Sequence, residues 1–320
     1  MSALSLTAPA APAAAAPEPL APGDHTRLLP YKRLSRSYVL HLPPAAAEAA
    51  PLPLVIALHG GGGTAAGFQA YAGLDAVADR EGFAVVYPSG TAPPIAAGRF
   101  LTWNAGRCCG WAMQQKIDDV GFMLRVVGAV EKAARIDPAR IYATGHSNGA
   151  MMAYRLAAEA GDRIAAIVPV AGAMNLRKPF APARAVPLLH IHSISDPRAP
   201  FAGGNQQSLV GGASIHHEPV IAGLQLWEKR NACGGKAEEL EQRAAPAPNG
   251  NGEHTARHIA AACPAAAAIE LWRLSGPGHG WPGENPGPLP ESVMGPHSNV
   301  ISAAEEAWKF LARFRLPDAH

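Results

Sequence analysis

Short apolar runs that stop at turn residues alternate along this chain with longer stretches of helical periodicity, and no other feature restricts the fold as much. A strand buried on both faces reads as a near-continuous run of Val, Ile and Leu, and consecutive parallel strands need a crossover helix between them. The alternation therefore predicts an α/β fold, a mainly parallel sheet with helices on both faces. Strands are expected over 36–42, 52–58, 84–87, 140–144, 165–170, 187–192 and 269–274, and helices over 67–80, 118–135, 148–160, 218–230 and 302–314. Asp118 and Asp119 read as caps opening the second helix, and Ser302 with Glu305 as a capping box opening the last.

Composition narrows the function classes. Apolar residues make up 48% of the chain and charged residues 16%, which supports a packed core. The 27 basic and 25 acidic side chains leave a formal net charge of +2 with no Lys/Arg-rich run, so no nucleic-acid partner is expected. No stretch approaches the roughly 18 consecutive apolar residues of a spanning helix, so no membrane partner is expected either. Residues 1–22 form an Ala/Pro tract without hydrophobic periodicity, read as a flexible leader before a single catalytic domain over 23–320. No Lys or Arg precedes Arg27, so the tract lacks the basic region of a secretory signal. Residues 244–252, rich in Ala, Pro, Gly and Asn, read as a surface loop between a helix and the last strands.

The chemistry concentrates in Gly145-His146-Ser147-Asn148-Gly149, which lies between a predicted strand and a predicted helix. A serine there sits on a tight strand-to-helix turn, exposed at the sheet's edge, with the helix N-terminus behind it. Upstream, the run Leu52 to Leu58 leads into His59-Gly60-Gly61-Gly62-Gly63. Consecutive glycines let backbone amides approach a developing oxyanion without a side chain in the way. The amides of Asn148 and of Gly61 or Gly62 are the expected donors. A phosphate cradle is the weaker reading, because the G-K-[ST] ending is absent and Thr64 follows without a lysine, and no cofactor is implied.

A serine hydroxyl needs a base and an oriented imidazole, and in α/β-hydrolases the order along the chain is serine, acid, histidine, each after a strand. Asp196 follows the predicted strand 187–192, and His279 follows 269–274. Glu218 and Glu228 fall on a helical pattern as a solvated face, and Glu284 is an outside candidate for the acid. Thirteen histidines raise the question of a metal. His190 and His192 share one strand face, but no second cluster with zinc-like spacing follows, and His216 and His217 would point opposite ways on a strand, so no metal site is expected. His146 reads as a shaping residue beside the nucleophile, facing away from its hydroxyl.

On these residues the chain resembles the polyhydroxybutyrate depolymerase and feruloyl esterase group of α/β-hydrolases, of the carbohydrate esterase family 1 type. The matching stretches are the strand into His59-Gly-Gly-Gly-Gly, Val86-Tyr-Pro-Ser-Gly, Trp103-Asn-Ala-Gly-Arg-Cys-Cys-Gly, Asp118-Asp-Val-Gly-Phe, the serine turn with Met151 and Tyr154, the Asp196 segment, Trp227 with Cys233, and Gly278-His-Gly-Trp-Pro-Gly. The resemblance implies hydrolysis of carboxylic esters through an acyl-enzyme, with Ser147, Asp196 and His279 as the triad. It leaves two substrate classes: hydroxyalkanoate oligomers or polymers, and feruloyl or acetyl esters on plant polysaccharide. Ser193 stands where the family's small glycine is usual, and the segment 203–214 is unusual in its Gly and Gln content; both depart near the expected substrate pocket. Trp103 and Trp281, together with His146, are candidates for a substrate-binding wall, and Trp111 is a further aromatic candidate.

Cys233 follows a helix and Cys263 precedes the strand leading to His279, and a disulfide between them is also what the resemblance suggests. A bond between the adjacent Cys108 and Cys109 would be strained, leaving free buried thiols as the alternative. A bridge would favour a secreted or periplasmic protein. A serine peptidase would use the same triad, and an inactive binding protein would keep the fold without reacting at Ser147.

Overall fold

The computed structural model describes residues 20–48, 50–177, 179–208 and 214–317. The chain opens with β1 (Gly23–Tyr31), β2 (Leu34–Leu42) and β3 (Leu52–Leu58), then α1 (Ala65–Ala72), α2 (Leu74–Glu81), β4 (Ala84–Pro88), α3 (Gly110–Gln114) and α4 (Asp119–Ala133). Next come β5 (Ile136–His146), α5 (Asn148–Glu159), β6 (Ala166–Val170), β7 (Leu188–Ser193), the short pair β8 (Gly204–Gln207) and β9 (Ser214–His217), and α6 (Val220–Arg230). The hairpin of β10 (Glu238–Pro246) and β11 (Glu253–Ala260), then β12 (Ile269–Ser275), α7 (Glu291–Met294) and α8 (Ala303–Leu311) complete the fold.

One sheet runs in the order β1-β2-β4-β3-β5-β6-β7-β12-β11-β10. From β4 to β12 every neighbouring pair is parallel, and the antiparallel pairs β1·β2, β2·β4, β11·β12 and β10·β11 extend it at the two edges. Alternation along β3 divides the core. Leu54, Ile56 and Leu58 pack with α4, α5 and α6 on one face, while Val55 and Ala57 pack with α1, α2 and α8 on the other. This is an α/β-hydrolase fold with both faces of the parallel centre covered, as burial of its apolar strands requires.

Strand order reverses between β3 and β5, because the chain leaves β3 for β4 on one side and returns to β5 on the other. Ligands bind in the crevice outside the carboxyl ends of strands at such a switch point. The register pairs Leu58 with Gly145, so the glycine run after β3 and the serine turn after β5 emerge side by side.

Several expectations change. The helix expected over 67–80 is two helices broken at Gly73, whose φ of 66° is left-handed. Leu20, expected in the leader, packs against the core and donates its amide to Ala133 O at 2.8 Å; residues 1–19 lie outside the described residues. The loop expected over 244–252 is the end of β10 and the hairpin tip before β11. Asp118 does cap α4, accepting from Gly121 N at 3.0 Å, but Asp119 is fully buried and faces Arg36 at 2.7 Å. That ion pair, with the Asn104 amide donating to Asp119, anchors the loop between β4 and α4 to β2.

Candidate active site

The two glycines around the serine turn are required by packing. A Cβ on Gly145 would lie 2.7 Å from the Gly149 backbone, and one on Gly149 would overlap the Leu58 carbonyl. Helix α5 can therefore start directly against the end of β3. Ser147 itself has φ 57° and ψ −117°, a conformation that costs a non-glycine residue energy. The turn is held by Ser147 N donating to Val170 O at 2.9 Å and by close packing of Gly172 against the Ser147 carbonyl.

Ser147 Oγ lies 2.8 Å from His279 Nε2, and His279 Nδ1 lies 2.7 Å from Asp196 Oδ2. The other carboxylate oxygen accepts from the amides of Arg198 at 2.7 Å and Ala199 at 2.8 Å. Burial alone would raise the Asp196 carboxyl, but its electrostatic interaction with His279 and hydrogen bonds from His192 and His279 hold it well below the usual carboxylate range. It is thus an ionised acceptor that fixes Nδ1 of His279 as the protonated nitrogen and leaves Nε2 to accept from serine. The His279 loop is itself clamped: Gly278 N donates to Pro296 O at 2.7 Å and His279 N to Met294 O at 2.5 Å.

In the glycine run two amides are already engaged. Gly62 N donates to Leu101 O at 2.8 Å and Gly63 N to Gly60 O at 3.0 Å, so neither amide is available to a substrate. This removes Gly62 from the expected oxyanion donors. Gly61 lines the cleft over Ser147 beside Asn148, and among the described residues neither of these two amides has a partner. His59 shapes the run by donating from Nδ1 to Gly60 O at 2.8 Å while Nε2 accepts from Gly90 N at 2.9 Å. Burial lowers this imidazole to about 4, which keeps it neutral and preserves both contacts.

The aromatic wall expected from sequence is not where the cleft is. Trp103 is fully buried; its ring nitrogen donates to His59 O at 2.9 Å, and its backbone exchanges hydrogen bonds with the Asn148 side chain at 2.7 and 3.1 Å. It braces the glycine run against the serine turn. Trp281 is buried edge-on against Phe68, with its ring nitrogen donating to Ala72 O at 3.0 Å, so it anchors the His279 loop to α1. His146 is buried between Tyr71 and His279, lowered to about 3 by burial and by the nearby His279, and lies outside the cleft lining. These three residues are large or buried for support of the site, and their size carried no information about which side of the backbone they face.

The cleft lining is instead Thr102, Met151, Ile215, His217 and Arg198, together with Cys108 and Cys109. These two cysteines are paired with each other across a cis peptide bond, contrary to the alternative of free thiols, and Cys233 is paired with Cys263. Behind Asp196 lies a buried line absent from the sequence reading: Tyr154 Oη is 3.0 Å from His190 Nδ1, and His190 Nε2 is 2.9 Å from His192 Nδ1. His192 Nε2 is 2.8 Å from Ala199 O and 3.3 Å from Asp196 Oδ2. The signal for it was the shared face of His190 and His192 on one strand. Among the described residues, the one group of potential metal ligands, Asp24, His41 and Asp75, lies away from this cleft. No described helix is long and apolar enough to cross a membrane.

A family model described as esterase PHB depolymerase matches residues 36–210. Over 285 residues the chain is 34% identical to NocK of Nocardia uniformis subsp. tsuyamanensis, a protein assigned as an esterase, covering 87% of this chain and 79% of that one. It is 30% identical over 193 residues to feruloyl esterase B of Piromyces equi, covering 58% of this chain but 34% of the longer relative. The fold is similar to that of the acetyl xylan esterase from Aspergillus awamori, with a TM-score of 0.56 at 13% identity, over 90% of this chain and 99% of that one.

Proposed function

Because the chain belongs to the esterase PHB depolymerase family and is a serine carboxylic-ester hydrolase, we propose that Ser147, His279 and Asp196 carry the reaction, with the amides of Gly61 and Asn148 as oxyanion donors. The observation that supports this assignment is the continuous hydrogen-bonded line from Ser147 Oγ through His279 to Asp196.

In this reading Ser147 Oγ attacks the ester carbonyl as His279 Nε2 takes its proton. The carbonyl oxygen becomes an anion between the Gly61 and Asn148 amides, where fixed dipoles need no reorganisation to stabilise it. Collapse breaks the acyl C–O bond, and the alcohol leaves with the proton held by His279. Water, activated by the same imidazole, then releases the acid and restores the serine. Asp196 stays ionised throughout and stabilises the imidazolium.

The substrate class proposed is hydroxyalkanoate esters, on the strength of the family match. Feruloyl or acetyl esters on polysaccharide are the second reading, favoured by the identity to feruloyl esterase B. One catalytic domain is assigned to 23–320. The Cys233–Cys263 pair supports an oxidising compartment, secreted or periplasmic.

The test is fluorophosphonate labelling of wild type against Ser147→Ala, run beside p-nitrophenyl acyl esters, methyl ferulate and hydroxybutyrate oligomers. Labelling lost in the variant, with turnover concentrated on hydroxybutyrate oligomers, is the expected result. Labelling that persists in Ser147→Ala rejects the nucleophile, and turnover confined to methyl ferulate rejects the substrate class.

A further inference from the structure

The cleft over Ser147 has a charge pattern that its chemistry does not require. Among its described lining residues Arg198 carries the one permanent charge, and no carboxylate lines the cleft. One Nη of Arg198 donates to the Gln207 carbonyl, and no described carboxylate forms an ion pair with the guanidinium. A fork of N–H donors whose charge is not balanced is suited to a planar anion.

The position of Arg198 says which part of a substrate it meets. It stands two residues after Asp196 and donates its amide to that carboxylate, so its side chain leaves the loop that carries the triad acid. His279, which follows β12, the parallel neighbour of β7, is the group that delivers a proton to the departing alcohol. The Gly61 and Asn148 amides, assigned to the acyl oxygen, emerge instead after β3 and β5, which β6 separates from β7 in the sheet. Arg198 therefore borders the leaving-alcohol side of the cleft. His217 stands with it: the residue is buried and lines the cleft, and its Nδ1 has no hydrogen-bond partner among the described residues. A buried polar atom without a partner favours a ligand that supplies one.

We propose that this cleft recognises esters whose leaving alcohol bears a carboxylate close to the ester oxygen, with Arg198 pairing the carboxylate and His217 hydrogen-bonding beside it. The inference rests on the ester-hydrolase assignment and deepens its substrate class. A hydroxyalkanoate oligomer meets the requirement at one bond, the ester nearest its free carboxyl end, where the leaving 3-hydroxy acid holds its carboxylate two carbons from the ester-bearing carbon's oxygen. Cleavage there breaks the acyl C–O bond, sends the His279 proton to the departing hydroxyl and leaves the remaining acyl chain on Ser147. Water then releases that chain as a second hydroxy acid. A feruloyl ester of a neutral sugar offers Arg198 no such anion.

The experiment compares kcat/KM for the linear 3-hydroxybutyrate dimer as its free acid and as its methyl ester, in wild type, Arg198→Gln and Arg198→Lys. The second arm measures inhibition of p-nitrophenyl butyrate hydrolysis by 3-hydroxybutyrate and by its methyl ester. Wild type is expected to prefer the free acid by about tenfold, a typical consequence of one charge-assisted hydrogen bond. The preference should fall toward unity in Arg198→Gln, persist in part in Arg198→Lys, and weaken with salt. Inhibition should follow the same order, strongest for the free carboxylate in wild type. Equal use of acid and methyl ester by wild type overturns the proposal, as does a preference that survives Arg198→Gln in a variant with the wild-type circular dichroism spectrum. If neither dimer is cleaved but the free carboxylate inhibits through Arg198, the hydroxyalkanoate reading fails while the anion site stands. Without dimer cleavage or carboxylate inhibition, both fail.

Discussion

His190 Nε2 lies 2.9 Å from His192 Nδ1, and that single contact orders the protons of the whole buried line behind the triad. The Ala199 carbonyl can only accept, so His192 Nε2 carries a hydrogen, and its Nδ1, if the ring is neutral, accepts from His190. His190 then accepts at Nδ1 from Tyr154, and every donor from Tyr154 inward points toward Asp196. Burial and the neighbouring His192 lower His190 well below its usual range, which keeps it in the neutral form this order needs. From the opposite side Ser147 and His279 also donate toward Asp196.

His192 is accordingly a positioning residue for Asp196, and His192→Phe is expected to lower kcat by about ten- to a hundredfold, the cost of about 1–3 kcal/mol when a buried acceptor loses a donor. KM for a simple p-nitrophenyl ester should change far less. The distinguishing readout is the acid limb of the kcat/KM pH profile. Without the His192 N–H one of the interactions that hold the Asp196 carboxyl low is lost, so the limb moves up. His192→Gln, which retains a donor, should move it back. A fall in kcat with an unmoved limb would mean that His192 merely fills space.

The segment after β6 supports the Ser147 turn through a contact that tolerates no side chain. A Cβ on Gly172 would overlap the Ser147 carbonyl and lie 2.9 Å from the Ala150 Cβ. Gly172→Ala should displace the serine turn and reduce turnover by about a hundredfold, the effect of roughly 1 Å of misplacement, while lowering stability by about 1–3 kcal/mol. Gly128, in α4 with open space around its Cβ, is the control. Gly128→Ala should raise stability by up to about 1 kcal/mol through helix propensity. Paired melting curves and kcat values check both. Equal behaviour of the two variants would contradict the contact argument.

What could be read from the sequence was what depends on local pattern. The apolar run Leu52–Leu58 is a strand with the bounds its composition predicts, and Ser147, Asp196 and His279 each follow a strand, which is why their order was visible. Partners that depend on distant chain segments were not visible. Gly62 looked like a free donor until Leu101 occupied its amide, and Trp103 looked like a pocket wall although its hydrogen bonds turn it into a brace. The strands β10 and β11 escaped because they form a hairpin at the sheet's edge, where charged residues such as Glu238, Glu239, Glu241, Arg243 and Arg257 replace the apolar signal. Edge strands commonly carry such charges, which discourage pairing with other chains.

The bridge between Cys233 and Cys263 spans a sequence separation of 30 and ties the end of α6 to the segment before β12. Within that separation lies the β10–β11 hairpin, so the bridge limits the freedom of a long, exposed excursion in the unfolded chain. Loop-closure entropy for a loop of this length is worth about 3–4 kcal/mol. Cys233→Ser should lower the melting temperature measurably. Because His279 follows β12, the same variant should lose activity at a temperature below the one at which bulk unfolding begins. Coincident loss of activity and of circular dichroism signal would show that the hairpin region does not loosen separately.

The buried histidines set how the fold responds to acid. His59 and His217 are lowered to about 4 and His146 to about 3, chiefly by burial, and His190 is lowered as well. An unfolded histidine takes up its proton near pH 6.5. Below that value the unfolded chain binds protons that the native state refuses, so the contribution of these groups is complete above about pH 6.5 and is lost as pH falls toward their native values. Each such group contributes a slope of at most about 1.4 kcal/mol per pH unit. His41 acts in the opposite sense: burial lowers it, but hydrogen bonds to Asp24 and Asp79 and the charge of Asp75 outweigh burial and raise it. Its contribution is present below about pH 6.5 and is lost as pH rises through its native value. One histidine cannot balance four, so the melting temperature should fall between pH 6.5 and 5, above the range in which ordinary carboxylates titrate. A melting temperature that stays level from pH 7 to pH 5 would show that these imidazoles are protonated in the native state, and with them the tautomer order around Asp196 would have to be abandoned.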